Sequence, residues 1–292
     1  MPRILICTVD AWNSKLSASS SNTFSSLFSQ YNAKELANIY IREDLPDSKV
    51  CSRYFQISEQ RVIRSLLKPN TKTGQEVFTA KKMSEEDLVT AEKAKKLYTQ
   101  NRVKRSYFKL FIREIIWLLG RWRSKELDNF LEDFSPDIVV FAMEGYIHFN
   151  RICRHVIRKT GARAIGYFWD DNFTYKQLKN NLGYLALRFF QRKSLKKLAK
   201  HTDRFWAISP KTKREADQYF DIESILLTKP ADMPERIIVP KTVSKTPMRI
   251  VYTGNLAIGR TATILAISQV LQKLNEKNVL LELDVYTPTT LL

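Results

Sequence analysis

From Ser135 onward the sequence alternates between two patterns, and the alternation sharply limits the folds open to it. SPDIVVFA, Ser135 to Ala142, is an apolar, β-branched run. ICRHVIRKT then spaces its apolar residues as a helix does and stops at Gly161, RAIGYF restarts the strand pattern, and a basic helix runs to about Lys200. DRFWAIS is a further strand, and SPKTKREADQYF opens with a serine cap and a proline at the first helical position. Strand, helix, strand, helix in that order predicts an α/β fold with a parallel sheet covered on both faces. Sheets of this class bind ligands beyond the carboxyl ends of their strands. Before Ser135, RILICTV, ANIYIRE and SRYFQIS read as three more strands. Helical patterns run from Ser84 to about Phe134, with Ser84 as cap and Glu86 and Asp87 in the first turn.

A chain of 292 residues, 44% of them hydrophobic, exceeds one typical domain of roughly 100 to 200 residues. The boundary falls where Pro234, Pro240 and Pro247 punctuate a polar stretch without period. Residues 1–230 are therefore expected to form one Rossmann-like domain, 231–247 a linker, and 248–292 the first βαβ unit of a second. In that unit MRIVYT and VLLELDVYT are the strands, with a helix from about Arg260 to Leu274 between them. The serine-rich SASSSNTFSS, Ser17 to Ser26, reads as a loop past the first strand, either ligand-binding or merely irregular.

Cys7, Cys51 and Cys153 are far apart and lie in or beside apolar stretches, with no Cys-x-x-Cys and no pair of histidines near them. They read as core thiols of a reducing compartment, neither a zinc site nor a disulfide frame. The start, MPRILICTVDAW, has one basic residue and an apolar run too short for a signal peptide, which favours the cytoplasm. No stretch reaches the ~18 consecutive apolar residues of a spanning helix. Lys and Arg number 48 against 30 Asp and Glu, a net charge of +18. From Lys93 to Lys125 there are eleven basic residues and one acid, Glu114; from Arg188 to Lys200 there are six and none. A field of that sign attracts phosphates on nucleic acid, lipid or nucleotide.

Three constellations carry candidate chemistry. IVYTGNLAIGR puts Gly254 and Asn255 directly after a strand, with Gly259 and Arg260 at the opening of a helix. Glycines let the backbone approach a phosphate, a helix N-terminus offers unpaired N–H groups, and an arginine donates in pairs. The spacing is neither a Walker loop nor the dinucleotide fingerprint, so a plain βα turn stands beside a binding loop. YFWDDNFTY ends a strand in aromatics and two acids, Asp170 and Asp171, which suit a base, a metal or a sugar's hydroxyls; alternatively they cap a turn. FAMEGYIHF sets Glu144 past another strand, with His148 read as structural. In SYFKLFIREIIWLLGRW, Lys109, Arg113, Trp117 and Arg121 fit either a core helix or one lying on anionic lipid. The helix through Leu187, Phe190, Leu195 and Leu198 adds Arg192 and Lys196 as solvated or phosphate-facing cations.

DIVVFAMEGY, RAIGYFWDDN, DRFWAISPKTKREADQYF and IVYTGNLAIGR together resemble, in order and spacing, bacterial GT-B glycosyltransferases of the large retaining group labelled group 1 or family 4, and most closely cell-surface polysaccharide enzymes. The resemblance implies two Rossmann-like domains, with a nucleotide-sugar on the C-terminal one and a lipid-linked or saccharide acceptor on the N-terminal one. It places Gly254, Asn255, Gly259 and Arg260 at the donor diphosphate, and Glu144, Asp170 and Asp171 at the acceptor or transferred sugar. It implies no metal and no cofactor beyond the donor, and a location on the inner face of the cell membrane. Such enzymes carry a later acidic motif on a larger C-terminal domain, so the expectation is a truncated enzyme, impaired unless a separate chain supplies the remainder. The competing expectation is a non-catalytic basic module that binds anionic membrane or a partner chain. Nucleic acid is not an expected partner, because no helix-turn-helix, RNP or zinc pattern accompanies the charge.

Overall fold

The computed structural model describes residues 1–12, 20–77, 107–176, 181–229, 247–254, 256 and 260–287. The chain divides into two compact units, Met1–Ala231 and Asp232–Leu292.

Unit 1 is built on one eight-stranded sheet. In chain order its strands are β1 (Ile4–Cys7), β2 (Leu36–Tyr40), β3 (Arg53–Ile57), β4 (Gly74–Val77), β5 (Ile138–Ala142), β6 (Arg163–Phe168), β7 (Arg204–Ala207) and β8 (Ser224–Leu226). They lie in the order β4-β3-β2-β1-β5-β6-β7-β8. Every pairing is parallel except that of β3 with β4. The alternation of side chains explains why the central runs are apolar throughout. Leu5, Cys7, Val139 and Phe141 enter one buried cluster, whereas Ile4, Ile6, Val140 and Ala142 enter the other, on the opposite face.

The described helices of unit 1 are α1 (Ser20–Leu27), α2 (Glu59–Ser65), α3 (Tyr107–Leu119), α4 (Lys125–Phe134), α5 (Ile147–Thr160), α6 (Leu182–Ala199) and α7 (Pro210–Phe220). The connection from β1 to β2 runs one way along the sheet, and those from β5 to β6 and β6 to β7 run the other. Right-handed crossovers therefore put α1 on one face and α5 and α6 on the other. Phe24 of α1 and Phe28 just past its end belong to the first of these faces; Phe149, Ile152 and Val156 of α5 and Leu195 and Leu198 of α6 belong to the second.

Local chemistry fixes the ends. Ser209 accepts from Thr212 N at 3.2 Å with Pro210 at the first position of α7, and Ser124 accepts from Leu127 N at 3.2 Å to open α4. Gly161 ends α5 in the left-handed region at φ 65°, which its missing Cβ allows. Cys7, Cys51 and Cys153 are buried free thiols.

Two expectations need correction, and two strands were not expected at all. Ser20–Leu27 is helical, because buried Phe24 anchors the serine-rich piece to the sheet. GQEV and SIL form edge-side strands β4 and β8, too short and too polar or exposed to stand out. Phe190, expected on the buried side of α6, is exposed. The helix expected at Ser84 lies outside the described residues, as does most of the linker; of its C-terminal part, α3 and α4 are two helices separated at Gly120–Ser124.

In unit 2, β9 (Met248–Thr253) pairs in parallel with β10 (Leu281–Tyr286), and α8 (Arg260–Leu274) connects them. Ile250, Val251, Leu265 and Val270 are exposed.

Candidate functional site

Strand order locates the site in unit 1. The chain leaves β1 toward β2 on one side and later returns to β5 on the other, so the carboxyl ends of β1 and β5 flank the topological switch point. Two acids stand there, Asp10 after β1 and Glu144 after β5.

The ladder between β1 and β2 continues past both strands. Thr8 N donates to Ile39 O at 2.9 Å and Ile41 N to Val9 O at 3.2 Å. Buried Asn38 donates from Nδ2 to Ile6 O and to Thr8 Oγ1, both at 2.9 Å. This extension sets Asp10 beside Arg42, and the two side chains form a hydrogen-bonded ion pair. Gln56 Nε2 fixes the Arg42 carbonyl at 2.9 Å.

Glu144 is held from three sides. Met143 N donates to Tyr167 O and Glu144 N to Ala142 O, both at 2.9 Å, and the Glu144 carbonyl accepts from Asn150 Nδ2 at 3.0 Å. Burial pushes its carboxyl up to about 7; the negative charges of Asp10 and Asp170 add to that, while Arg42 and a hydrogen bond from the Trp169 side chain oppose it. Trp169 is itself fixed against Phe24 and Tyr167, with ring centroids 5.0 and 5.6 Å away. A carboxyl balanced near neutrality can give or take a proton without leaving its ordinary working range.

The two adjacent acids after β6 part company. Asp170 is exposed and lies within the field of Glu144. Asp171 is consumed by its own turn, accepting from Phe173 N at 3.3 Å, from Thr174 N at 2.8 Å and from the Thr174 hydroxyl. The turn alternative therefore describes Asp171 and, in part, Asp170, whose Oδ1 accepts from Asp171 N at 3.0 Å while its side chain stays exposed beside Glu144.

The basic and aromatic candidates on α3 and α6 also separate. Trp117 is buried, stacked on His148 at 4.6 Å, and donates from Nε1 to Glu59 at 3.0 Å, so its expected contact with a membrane is corrected to a core contact. Arg113 turns inward as well: it pairs with Glu59 and lies 5.4 Å over the Tyr146 ring. Burial opposes ionisation of Glu59, but the charge and hydrogen bonds of Arg113 hold it below the usual carboxylate range. Arg192 donates to Phe173 O and stacks on Tyr175 and Tyr219 at 4.4 and 4.0 Å; Lys196 lies 4.6 Å over Tyr219. Lys109 and Arg121 are exposed.

Glu114 joins α3 to the site. It accepts from Ile147 N at 3.1 Å and His148 N at 2.9 Å, capping the helix that opens three residues after Glu144. The same carboxylate lies 3.0 Å from His148 Nδ1. His148 is thus structural, and burial holds its imidazole below its ordinary value.

In unit 2, Gly254 and Arg260 share a hollow of about 480 Å³ with Tyr252, Thr253, Thr263, Ile264 and Ile267 at the carboxyl end of β9. Asn255 and Gly259 lie outside the described residues. A larger hollow of about 770 Å³ lies around Pro136, Asp137 and Arg163 in unit 1. It opens at the amino ends of β5 and β6, the side on which sheets of this class do not bind ligands. Among the described residues, no group of three or more His, Cys, Asp or Glu is placed to hold a metal ion.

No protein-family model matches the chain, and a search of curated proteins finds no match. The solved structure of Arabidopsis thaliana UGT89C1 complexed with UDP-L-rhamnose is similar over 99% of this chain and 69% of that one, at 8% identity and a TM-score of 0.41. Likeness at that level carries no argument about function, which rests here on the site itself. Asp10 and Arg42 are the two residues of the candidate site that sequence reading missed. The signal available was positional: each lies two or three residues past the end of a strand.

Proposed function

We propose that the chain is a glycosyltransferase that moves a sugar from a nucleotide diphosphate donor to an acceptor hydroxyl bound at the carboxyl edge of unit 1. The observation that carries this reading is Glu144, a carboxyl balanced near pH 7 at the switch point of a Rossmann-like sheet. In the proposed reaction the bond between the anomeric carbon and the diphosphate oxygen breaks, and the acceptor oxygen bonds to that carbon. Glu144 receives the acceptor's proton. Asp170 and the Asp10–Arg42 pair orient the acceptor and tune Glu144 by their charge.

The donor end of the proposal is the loop after β9. Gly254 permits close approach to the diphosphate, and Arg260, at the start of α8, faces the charge that develops on the leaving group. Asn255 and Gly259 complete that loop in sequence. The motifs SPDIVVFAMEGY and IVYTGNLAIGR, in the order that GT-B enzymes use, support the same assignment. A role in polysaccharide synthesis at the cell membrane belongs to this proposal as its finer part.

A thermal-shift titration with uridine, guanosine and thymidine diphosphate sugars tests it. One nucleotide should raise the melting temperature as RT ln(1 + [L]/Kd), and Arg260→Ala should abolish the rise. Absence of a shift with every donor from a cooperatively melting chain would sink the donor assignment. Glu144→Gln should keep the shift yet lose transfer by about 100-fold or more; full transfer by that variant would remove Glu144 from the chemistry.

A further inference from the structure

We infer that the outer face of α3, continued by α2 and α6, docks on an anionic lipid bilayer and presents a lipid-carried acceptor to the loop that holds Glu144. The second clause rests on the proposed glycosyl transfer; the first stands without it.

The face is sorted by helical geometry. Positions 108, 112, 115 and 119 fall on one stripe of α3, and all four are apolar and exposed: Phe108 by 72%, Ile112 by 40%, Ile115 by 52% and Leu119 by 66%. The opposite side of the same helix holds Arg113, Glu114 and Trp117, each engaged with the body of unit 1. Soluble helices keep their apolar stripe inward, so a helix whose buried side carries an ion pair and a capping carboxylate while Phe108 and Leu119 face outward is built to meet a second apolar medium.

Neighbouring elements extend the face. Val62 of α2 packs so tightly on Gly120 that a Cβ there would lie 2.5 Å from it, and Arg121 N donates to Ser65 Oγ at 3.0 Å. This brings the C-terminal end of α2, with exposed Leu67, to the same end of α3. On the other flank Phe111 meets Phe190 of α6 edge-on at 6.2 Å, and Phe189 and Phe190 are exposed.

Charge identifies the occupant. Exposed Lys109, Arg121 and Arg123 border the stripe, with Arg64 and Lys68 beside Leu67 and Lys193 beyond Phe190. The acids of α2 and α3, Glu59 and Glu114, are both turned inward, and α6 has none. Among the described residues of these three helices, an apolar stripe bordered by exposed cations complements acyl chains beneath anionic headgroups. No described helix is long and apolar enough to cross a membrane, so the contact is one of lying on the surface. Glu114 then gives the docked helix a direct hydrogen-bonded link to the start of α5, three residues from Glu144.

The test is co-sedimentation of the full chain, without nucleotide, with vesicles of phosphatidylcholine alone or containing one quarter phosphatidylglycerol. Binding to the anionic vesicles is expected, with affinity falling about tenfold or more for Ile115→Glu with Leu119→Glu, and again for Lys109→Glu with Arg121→Glu and Arg123→Glu. All are exposed positions, so melting temperatures should match that of the wild type. In Leu119→Trp, the added emission should be quenched by brominated acyl chains. Equal binding by the apolar variants would reduce the effect to net charge and overturn the inference, as would absent quenching or a wild-type dimer that Ile115→Glu dissolves. Vesicle binding that survives in a chain showing no nucleotide shift would leave the docking face standing while removing the transferase reading.

Discussion

Glu144 stores the clearest consequence at the scale of a single residue. Its carboxyl titrates near 7 in the folded chain against an ordinary 4.5, chiefly because burial disfavours its charge. The native state therefore holds an extra proton between those values, and stability falls as pH rises through that window, with the full loss reached above it. Glu144→Gln should accordingly be more stable than the wild type at pH 8, on the order of 2 kcal/mol, and the difference should vanish at pH 4. Urea unfolding at the two pH values measures this; an equal gap at both would show that another group titrates. Glu144 and Asp170 stand out in the sequence as candidates because each follows a strand within a string of aromatics and turn residues. Asp10 and Arg42 were not, since an acid or a base after a strand is ordinary and only the pairing of β1 with β2 brings them together. Trp117 misled for a related reason: a tryptophan between basic residues on an apolar helix looks the same whether it faces lipid or stacks on a buried histidine.

Among elements, α3 shows how far periodicity reaches. The sequence marks it as apolar around most of its circumference, and nothing local says which side the sheet will claim. Polar contacts decide: the ion pair of Glu59 with Arg113 and the hydrogen bonds of Glu114 to the α5 terminus select the inward side. The central strands β1 and β5 were readable because both their faces are buried and ILIC and IVVFA are apolar at every position. The edge strands β4 and β8 were not, because GQEV and SIL carry neither alternation nor length. The seat of α3 on α2 depends on the missing Cβ of Gly120, which would meet Val62 Cγ1 at 2.5 Å and Ile116 O at 2.9 Å. Gly120→Ala should thus cost about 1–3 kcal/mol by overpacking, despite the better helix propensity of alanine. Thermal or urea unfolding checks it, and a neutral result would mean that the two helices separate freely.

For the molecule as a whole, the placement of its three thiols offers a way to observe it open. Cys7 sits on the central strand β1, Cys153 on the helix that covers it, and Cys51 just before β3, one strand in from the sheet's edge. Burial lifts the Cys51 thiol to about 12, so while it stays covered it has almost no reactive thiolate. Labelling by a thiol reagent must then wait for the surrounding structure to part, and each cysteine becomes a clock for its own neighbourhood. In rising urea Cys51 should be modified at lower concentration than Cys7 and Cys153, which should react together with the global transition; mass spectrometry of the labelled peptides reads the order. Synchronous labelling of all three would mean that unit 1 has no weak edge. Either way, the native chain keeps its own record of where it comes apart, with no probe engineered into it.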